Sequence, residues 1–437
     1  MFGFSMIQTV RRHSAKLDRT LRTQLLELYR PFRWVPCIFH RSFEGLAKRF
    51  KRHDVIIEFH HDETACTEGI QSVKDTCQHH SRCVMGHELS SVHSCSAKLT
   101  ANALEELLTN CSHIKKIHTD RQVRAFLDVA SPSIGAHIVN RSGLTGNGVT
   151  IAILDTGIHP HPDLTLPTNR IVAFRDFVND RPDPYDDNGH GTHCAGDAAG
   201  NGLSSDGIYQ GPAPEARLVG VKVLNKVGSG SLSTIMAGVQ WCIDNRDEYS
   251  IDIISMSLGT PATTPAAEDP LVQIVERAWI SGIVVCVAAG NEGPEPRTVA
   301  SPGISPRVIT VGAMDDQNTT NRQDDQVADF SSRGPTIDGL VKPDLLAPGV
   351  NIVSLRAPNS YIDKLSPETR IDDNYTVLSG TSMATPICAG VVALLLQKYP
   401  TLTPFQVKRR LMMTADNWGL PPNTQGQGYL NAEKAVR

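Results

Sequence analysis

Three short stretches carry residue types that can do covalent chemistry together. Asp155 stands in ILDTGI (153–158), His190 and His193 in DDNGHGTHCAG (186–196), and Ser382 in GTSMATP (380–386). A serine hydroxyl is a poor nucleophile at neutral pH and needs an adjacent base to take its proton. An imidazole serves as that base when a buried carboxylate orients it and stabilises the imidazolium that forms. An aspartate can instead be half of a two-carboxylate dyad sharing one proton, because like charges that close cannot both ionise. A dyad within one chain needs a second Asp-Thr-Gly, and the 437 residues contain no other. Asp155, His190 and Ser382 are therefore the candidate carboxylate, base and nucleophile, in that chain order and separated by 35 and 192 residues. Asn291, in AAGNEG, offers a side-chain amide to a developing oxyanion, and a helix starting at Ser382 offers backbone N–H groups to the same oxygen.

Such residues need a scaffold that gathers distant parts of the chain. GVTIAILDTGI, ARLVGVKVL, IDIISMSLG, GIVVCVAAGN and RVITVGAM are near-continuous apolar runs separated by helical stretches. Strands covered on both faces by crossover helices read this way, so residues 129–437 are expected to form an α/β domain with a doubly wound, mostly parallel sheet. Chemistry in such sheets collects at the carboxyl ends of the strands, and Asp155, Ser257 and Asn291 all fall at such ends. Pro386 sits near the start of an apolar helix that ends before Pro400. Proline is tolerated in a first helical turn, where its missing N–H had no partner.

The charge is uneven. Twelve Lys/Arg against three Asp/Glu give residues 1–53 a local +9, so the overall −4 leaves −13 on residues 54–437. An acidic main body excludes nucleic acid as the principal partner, since phosphate binding needs a basic surface. The start, MFGFSMIQTVRR, lacks a basic region followed by an apolar core, so no secretory signal is read there. No apolar run is expected to reach the length of about 18 that crosses a membrane. Ten cysteines in a chain this long do not imply a stapled scaffold. Cys194, Cys242, Cys286 and Cys388 lie in apolar surroundings that suit buried free thiols, and a reducing, cytoplasmic location is the expectation.

Residues 1–53 read as a basic extension in which Leu17, Leu21, Leu25 and Leu28 make a helical stripe over 17–30, suited to packing on its own protein. Arginines on its other sides raise docking on an anionic membrane surface as an alternative. Residues 54–128 read as a small α+β unit: DVIIEF and ELSSVHSCSAKL as strands, TANALEELLTN as a capped helix, IKKIHTD and RQVRAFL closing the sheet. CQHHSRC, with Cys77, His79, His80 and Cys83, holds zinc-type ligands, and Cys66, His60 and His61 lie upstream. Two cysteines six apart with no second cluster match no common zinc spacing. A structural reading is preferred there.

Taken in order, ILDTGI, NGHGTHCAG and GTSMATP resemble the three signature blocks of the subtilases, the subtilisin-like serine proteases. The order Asp–His–Ser distinguishes that family from other serine hydrolases. The resemblance covers roughly residues 129–437 and implies a subtilisin-like fold and a serine endopeptidase acting through an acyl-enzyme on Ser382. It puts the base on His190 and leaves His193 a structural role. It implies that Gly228, Ser229 and Gly230, with Ser257, Leu258 and Gly259, pair with an extended peptide substrate. It makes Ala288, Ala289 and Gly290 a wall of a roomy pocket, hence broad specificity with some preference for large apolar side chains.

The resemblance also makes residues 54–128 an inhibitor-type prodomain, a partner of the chain's own cleft, cleaved near residues 115–130. Cys194, one helical turn beyond His190, matches a cysteine that makes some subtilases sensitive to mercurials. No cofactor is implied for the chemistry. Many subtilases bind calcium, and Asp163 in HPDL stands where some have a ligand, but NGLSSDGIYQG is no clear oxygen-rich completion, so structural calcium is possible with no ligands named. The pairs Asp186–Asp187, Asp315–Asp316 and Asp324–Asp325 read as solvated loops. The alternative function is a catalytically silent subtilase fold acting as a binding module, which no residue favours.

Overall fold

The computed structural model describes residues 5–27, 44–45, 48–60, 62–89, 93–119 and 129–437. The chain divides into two compact units, residues 1–124 and 125–437, each taken by itself below.

The first unit is a four-stranded antiparallel sheet with helices. Its elements are α1 (Ser5–Arg12), α2 (Arg19–Glu27), β1 (Arg52–Phe59), α3 (Glu63–His79), β2 (Val84–Leu89), β3 (Ser94–Thr100), α4 (Ala101–Asn110) and β4 (Ile114–Thr119), with the strands in order β2-β3-β1-β4. Period-two burial in β1 sends Val55, Ile57 and Phe59 into the core. Thr100 caps α4 by accepting from Ala103 N at 3.3 Å, and Leu104, Leu107 and Leu108 follow at helical spacing on its buried face. The stretch expected as one strand, ELSSVHSCSAKL, is instead the end of β2 and most of β3, two strands that pair antiparallel. RQVRAFL lies outside the described residues.

The described part of the basic N-terminal segment belongs to this core rather than standing off it. Met6, Val10, Leu17, Leu21 and Leu25 are buried with Val55, Ile57, Leu99 and Leu104. The Asp18 carboxylate accepts from Leu21 N at 2.6 Å and from Thr119 N at 2.8 Å, so one side chain starts α2 and ties it to the end of β4. The leucine stripe thus packs on its own unit, and Leu28 lies outside the described residues.

The second unit holds the parallel sheet. It contains β5 (Thr150–Asp155), β6 (Ile171–Asp176), α5 (His190–Ala199), β7 (Arg217–Lys222), α6 (Leu232–Asp244), β8 (Ile251–Met256), α7 (Pro270–Ile280), β9 (Val284–Ala288), β10 (Ile309–Asp315), β11 (Gln326–Val327), β12 (Leu345–Pro348), β13 (Ile352–Leu355), β14 (Tyr375–Leu378) and α8 (Thr381–Lys398). The main sheet runs β11-β10-β9-β8-β5-β7-β6, with β12 beside β10. All its pairings are parallel except β10 with β11. Every residue of β5 and of β9 is buried, as covering on both faces requires. From β5 the chain first lays β6 two positions away and fills the gap with β7, then crosses β5 to build β8, β9 and β10 on the other side. The reversal places β5 at the switch point where open α/β sheets bind ligands, and Asp155 is its last residue.

Helix α8 corrects one expectation. Its 18 residues are long and apolar enough to cross a membrane, the single such helix among the described residues. Most of it is buried, packed against the sheet and α5, so its apolarity is that of a central core helix.

Candidate active site

The carboxyl end of β5 turns directly into the site. Asp155 is fully buried, and its Oδ1 accepts from Thr156 N at 2.7 Å and lies 2.8 Å from His190 Nδ1. His190 is the first residue of α5. The turn before it is built by Asp186, whose carboxylate accepts from Asn188 N, Gly189 N, Thr192 N and the hydroxyls of Thr156 and Thr192, at 2.6 to 3.1 Å. Gly191 has to be glycine because a Cβ there would meet Gly157 O at 2.2 Å. The sequence between the two histidines is thus set by the close approach of α5 to the end of β5.

Ser382 heads α8, which starts at Thr381 after Gly380. Its hydroxyl donates to Ser257 O at 3.2 Å, while the Ser257 hydroxyl donates to Ser382 O at 2.7 Å. The Ser382 hydroxyl is thus hydrogen-bonded to a backbone carbonyl. The Asn291 amide is oriented by its oxygen, which accepts from Thr381 N at 2.9 Å and Thr381 Oγ1 at 3.0 Å. That leaves the NH2 as the free end, on the side of Gly380, where a Cβ would lie 3.4 Å from Asn291 Nδ2.

Two hollows flank these residues. One, of about 630 Å³, is lined by His190, Gly228, Ser229, Gly230, Ser257, Leu258 and Gly259 among others. The other, of about 540 Å³, is lined by Ser257, Leu258, Gly259, Ala288, Gly290, Asn291 and Ser382 together with Glu292, Arg297 and Ala300. Ala289 does not line either: it is fully buried, and its N–H donates to Val311 O at 2.9 Å, facing β10. Of the residues assigned from sequence to substrate contact, all but Ala289 border the cleft.

The subtilase family profile matches residues 146–430. Serine protease AprX of Bacillus subtilis is 54% identical over 446 aligned residues, which span all of this chain and 99% of that one. A thermostable alkaline protease of Halalkalibacterium halodurans is 36% identical over 80% of this chain and 85% of its own. The solved structure of sphericase superposes with a TM-score of 0.55 at 31% identity, over 66% of this chain and 92% of that one. The chain belongs to the subtilase family of serine proteases. These are hydrolases that act on peptide bonds, and the sheet described above is the subtilisin-like fold.

The electrostatics around His190 follow from its neighbours. Burial alone would disfavour the imidazolium, but the Asp155 carboxylate outweighs it and raises the His190 pKa well above its ordinary value. Cys194 lies 3.7 Å from His190 Nδ1 and donates to Ser382 O at 3.4 Å. Burial pushes that thiol up to about 12, with 1% of the residue exposed, so at neutral pH it is a protonated thiol packed under the subtilase cleft. A mercurial would have to reach it there. His193 is fully buried, with Nδ1 2.9 Å from Asp197 Oδ2 and Nε2 3.1 Å from Ile352 O, so it links α5 to β13 and stays out of the cleft.

Asp163 is bound by donors from its own chain. Its Oδ1 accepts from Ser204 N at 2.8 Å, its Oδ2 from the Tyr375 hydroxyl at 2.6 Å, and its carbonyl from the Arg170 guanidinium. The acidic pairs differ from the solvated loops expected. Asp186 is 8% exposed and organises the turn before His190, and Asp187 pairs with Lys222 at 2.7 Å. Asp316 is 3% exposed, and both carboxylate oxygens of Asp325 are buried. Asp324 is exposed as expected. Sequence reading gives Asp186 no role beyond a solvated loop and passes over Lys222. The available signals are an acidic residue four before the histidine and a lone lysine inside an apolar strand run.

Proposed function

We propose that this subtilase is an endopeptidase of broad specificity whose triad is Asp155, His190 and Ser382. Ser382 Oγ attacks the scissile carbonyl carbon as His190 Nε2 takes its proton, and Asp155 holds the imidazolium that results. Asn291 Nδ2 and the backbone N–H of Ser382 receive the oxyanion. Collapse of the tetrahedral intermediate breaks the C–N bond, and the amine leaves with the proton from His190. Water, deprotonated by the same imidazole, then hydrolyses the acyl-enzyme. The observation that carries this reading is the 2.8 Å contact of His190 Nδ1 with the buried Asp155, at a helix start beside which Ser382 heads a second helix.

Broad specificity is supported by the second hollow, whose Ala288, Gly290 and Ala300 are small and whose rim carries both Glu292 and Arg297, so neither charge is selected. We further propose that residues 54–128 act as a prodomain. Strand β4 is hydrogen-bonded into the sheet as far as Thr119, which favours cleavage beyond that residue, within 120–130. A cytoplasmic location is proposed from the nine described cysteines, all unpaired, as a reducing compartment keeps them.

The test is a fluorophosphonate probe on the full-length protein beside Ser382→Ala, read by intact mass and labelled peptide. Label on Ser382 in the wild type and none in the variant is the expected result. An unlabelled wild type that had lost its N-terminal unit would overturn the reading, because nothing would then cover the site.

A further inference from the structure

Strand β7 ends on a charge that its surroundings do not suggest. Lys222 is fully buried, where an ammonium without partners would be strongly disfavoured. All three of its donors are used: Nζ donates to Thr156 O at 2.5 Å, Asp187 Oδ1 at 2.7 Å and Leu224 O at 2.9 Å. The face of Tyr185 lies over it, 5.2 Å from the ring centre. Lys222 is also the register partner of Asp155 on the adjacent parallel strand. Of its acceptors, Thr156 follows Asp155 directly, and Asp187 comes three residues before His190. A single ammonium therefore joins the strand end that carries the carboxylate to the turn that carries the imidazole. The same turn is held on its other side, where Tyr361 N donates to Asp187 O at 2.9 Å.

We propose that Lys222 is a positioning residue of this active site. Its ammonium fixes the spacing between Asp155 and His190, and its charge, balanced by Asp187, sets how readily the imidazole takes a proton. The proposal rests on the triad reading above. The groups that act directly on the imidazole are Asp155 on β5 and Cys194 and Asp197 on its own helix, while Asp186 and Asp187 stand in the turn before it and Lys222 on β7 pairs with Asp187. Removing Lys222 or Asp187 changes the charge near His190 in opposite senses while breaking the same contact. That separates this role from simple support of the fold.

The experiment measures kcat and KM of full-length Lys222→Met and Asp187→Asn on a peptide substrate, from about pH 5 to about pH 10. Both variants should lose about tenfold or more in kcat with KM within about twofold, as expected when an interaction matters only in the transition state. The acid limb should move up in Lys222→Met, where an anion is left alone, and down in Asp187→Asn, where a cation is left alone. Limbs unmoved in both, or full kcat in Lys222→Met, would overturn the proposal. Should Lys222→Met fail to fold, Asp187→Asn decides alone, since that side chain is 31% exposed. Its limb must move down, and an unmoved one refutes the role. Failure of the triad reading would show separately, as absence of fluorophosphonate label on wild-type Ser382.

Discussion

Residues 60–83 carry four histidines and three cysteines within one short stretch, whereas Asp155, His190 and Ser382 are spread over half of the chain. Among the described residues the crowded set does not converge on a common centre. His80 Nε2 reaches Glu106 at 2.8 Å, Cys83 lies under the Thr100 backbone N–H at 3.3 Å, and burial raises the Cys77 thiol to about 11. Among the described residues, the one trio of possible ligands whose atoms lie within 4.8 Å of one another is Asp155, His190 and Cys194. The difference is topological. Helix α3 and the turn after it send neighbouring side chains in different directions, while the parallel sheet aims several strand ends at one place.

The comparison breaks first if the dispersed residues do not act as a unit. Asp155→Asn keeps the shape but removes the charge that raises the His190 pKa. The expected loss in kcat is about ten-thousandfold, the scale of that change in other serine triads. The imidazole must be neutral to accept the Ser382 proton, and Asp155 holds its pKa above the ordinary 6.5. Activity of the wild type should therefore be switched on as pH rises through a value above 6.5, and the limb should fall in Asp155→Asn. A wild-type limb below the ordinary histidine range would contradict the pairing. The pH profile of kcat/KM in the free enzyme reads this directly.

Much of the candidate site and of its scaffold is legible in the chain itself. Residue type and order single out Asp155, His190 and Ser382, and a place at a strand end singles out Asn291. The parallel sheet follows from apolar runs that only double-sided burial explains. What the sequence hides is the burial of charge. Asp186 looks like a loop carboxylate because its partners, five donors from four residues, come together only when the turn closes over β5. Lys222 escapes notice for the same reason, since its acceptors are two backbone carbonyls and one carboxylate that no spacing announces. The N-terminal leucines indicate a helix packed on its own protein but not which strand it meets, because Asp18 and Thr119 come together across about a hundred residues. Ala289 reads as part of the pocket wall with its neighbours, yet alternation along an extended segment turns every second residue away.

A milder challenge to the convergent site is Asn291→Ala. The Asn291 oxygen is anchored by Thr381 and its amide is the free end. Truncation should cost about a hundred- to a thousandfold in kcat with little change in KM, a scale measured in subtilisin itself. The reading is steady-state kinetics on one peptide substrate. A loss confined to KM would mean that Asn291 holds the ground state and does not meet the oxyanion.

The smallest effect is expected from the crowded set, and it sharpens the contrast most. Replacing Cys77, His79, His80 and Cys83 together by Ser, Ala, Ala and Ser in the full-length chain should leave kcat of the fully processed enzyme within about twofold, since the proposed prodomain that carries them is no longer part of that enzyme. Cys83 is the exception to watch, because its sulfur accepts from Thr100 N, and Thr100 in turn caps α4. Losing that contact should lower the stability of the N-terminal unit by about 1 kcal/mol, the ordinary worth of a cap. Equilibrium dialysis against zinc separates the readings. Wild type and variant should retain the same amount, because four side chains that do not converge cannot close a tetrahedral site. One extra zinc per wild-type chain, lost in the variant, would show that these residues rearrange around a metal and that density along the sequence had pointed to chemistry after all.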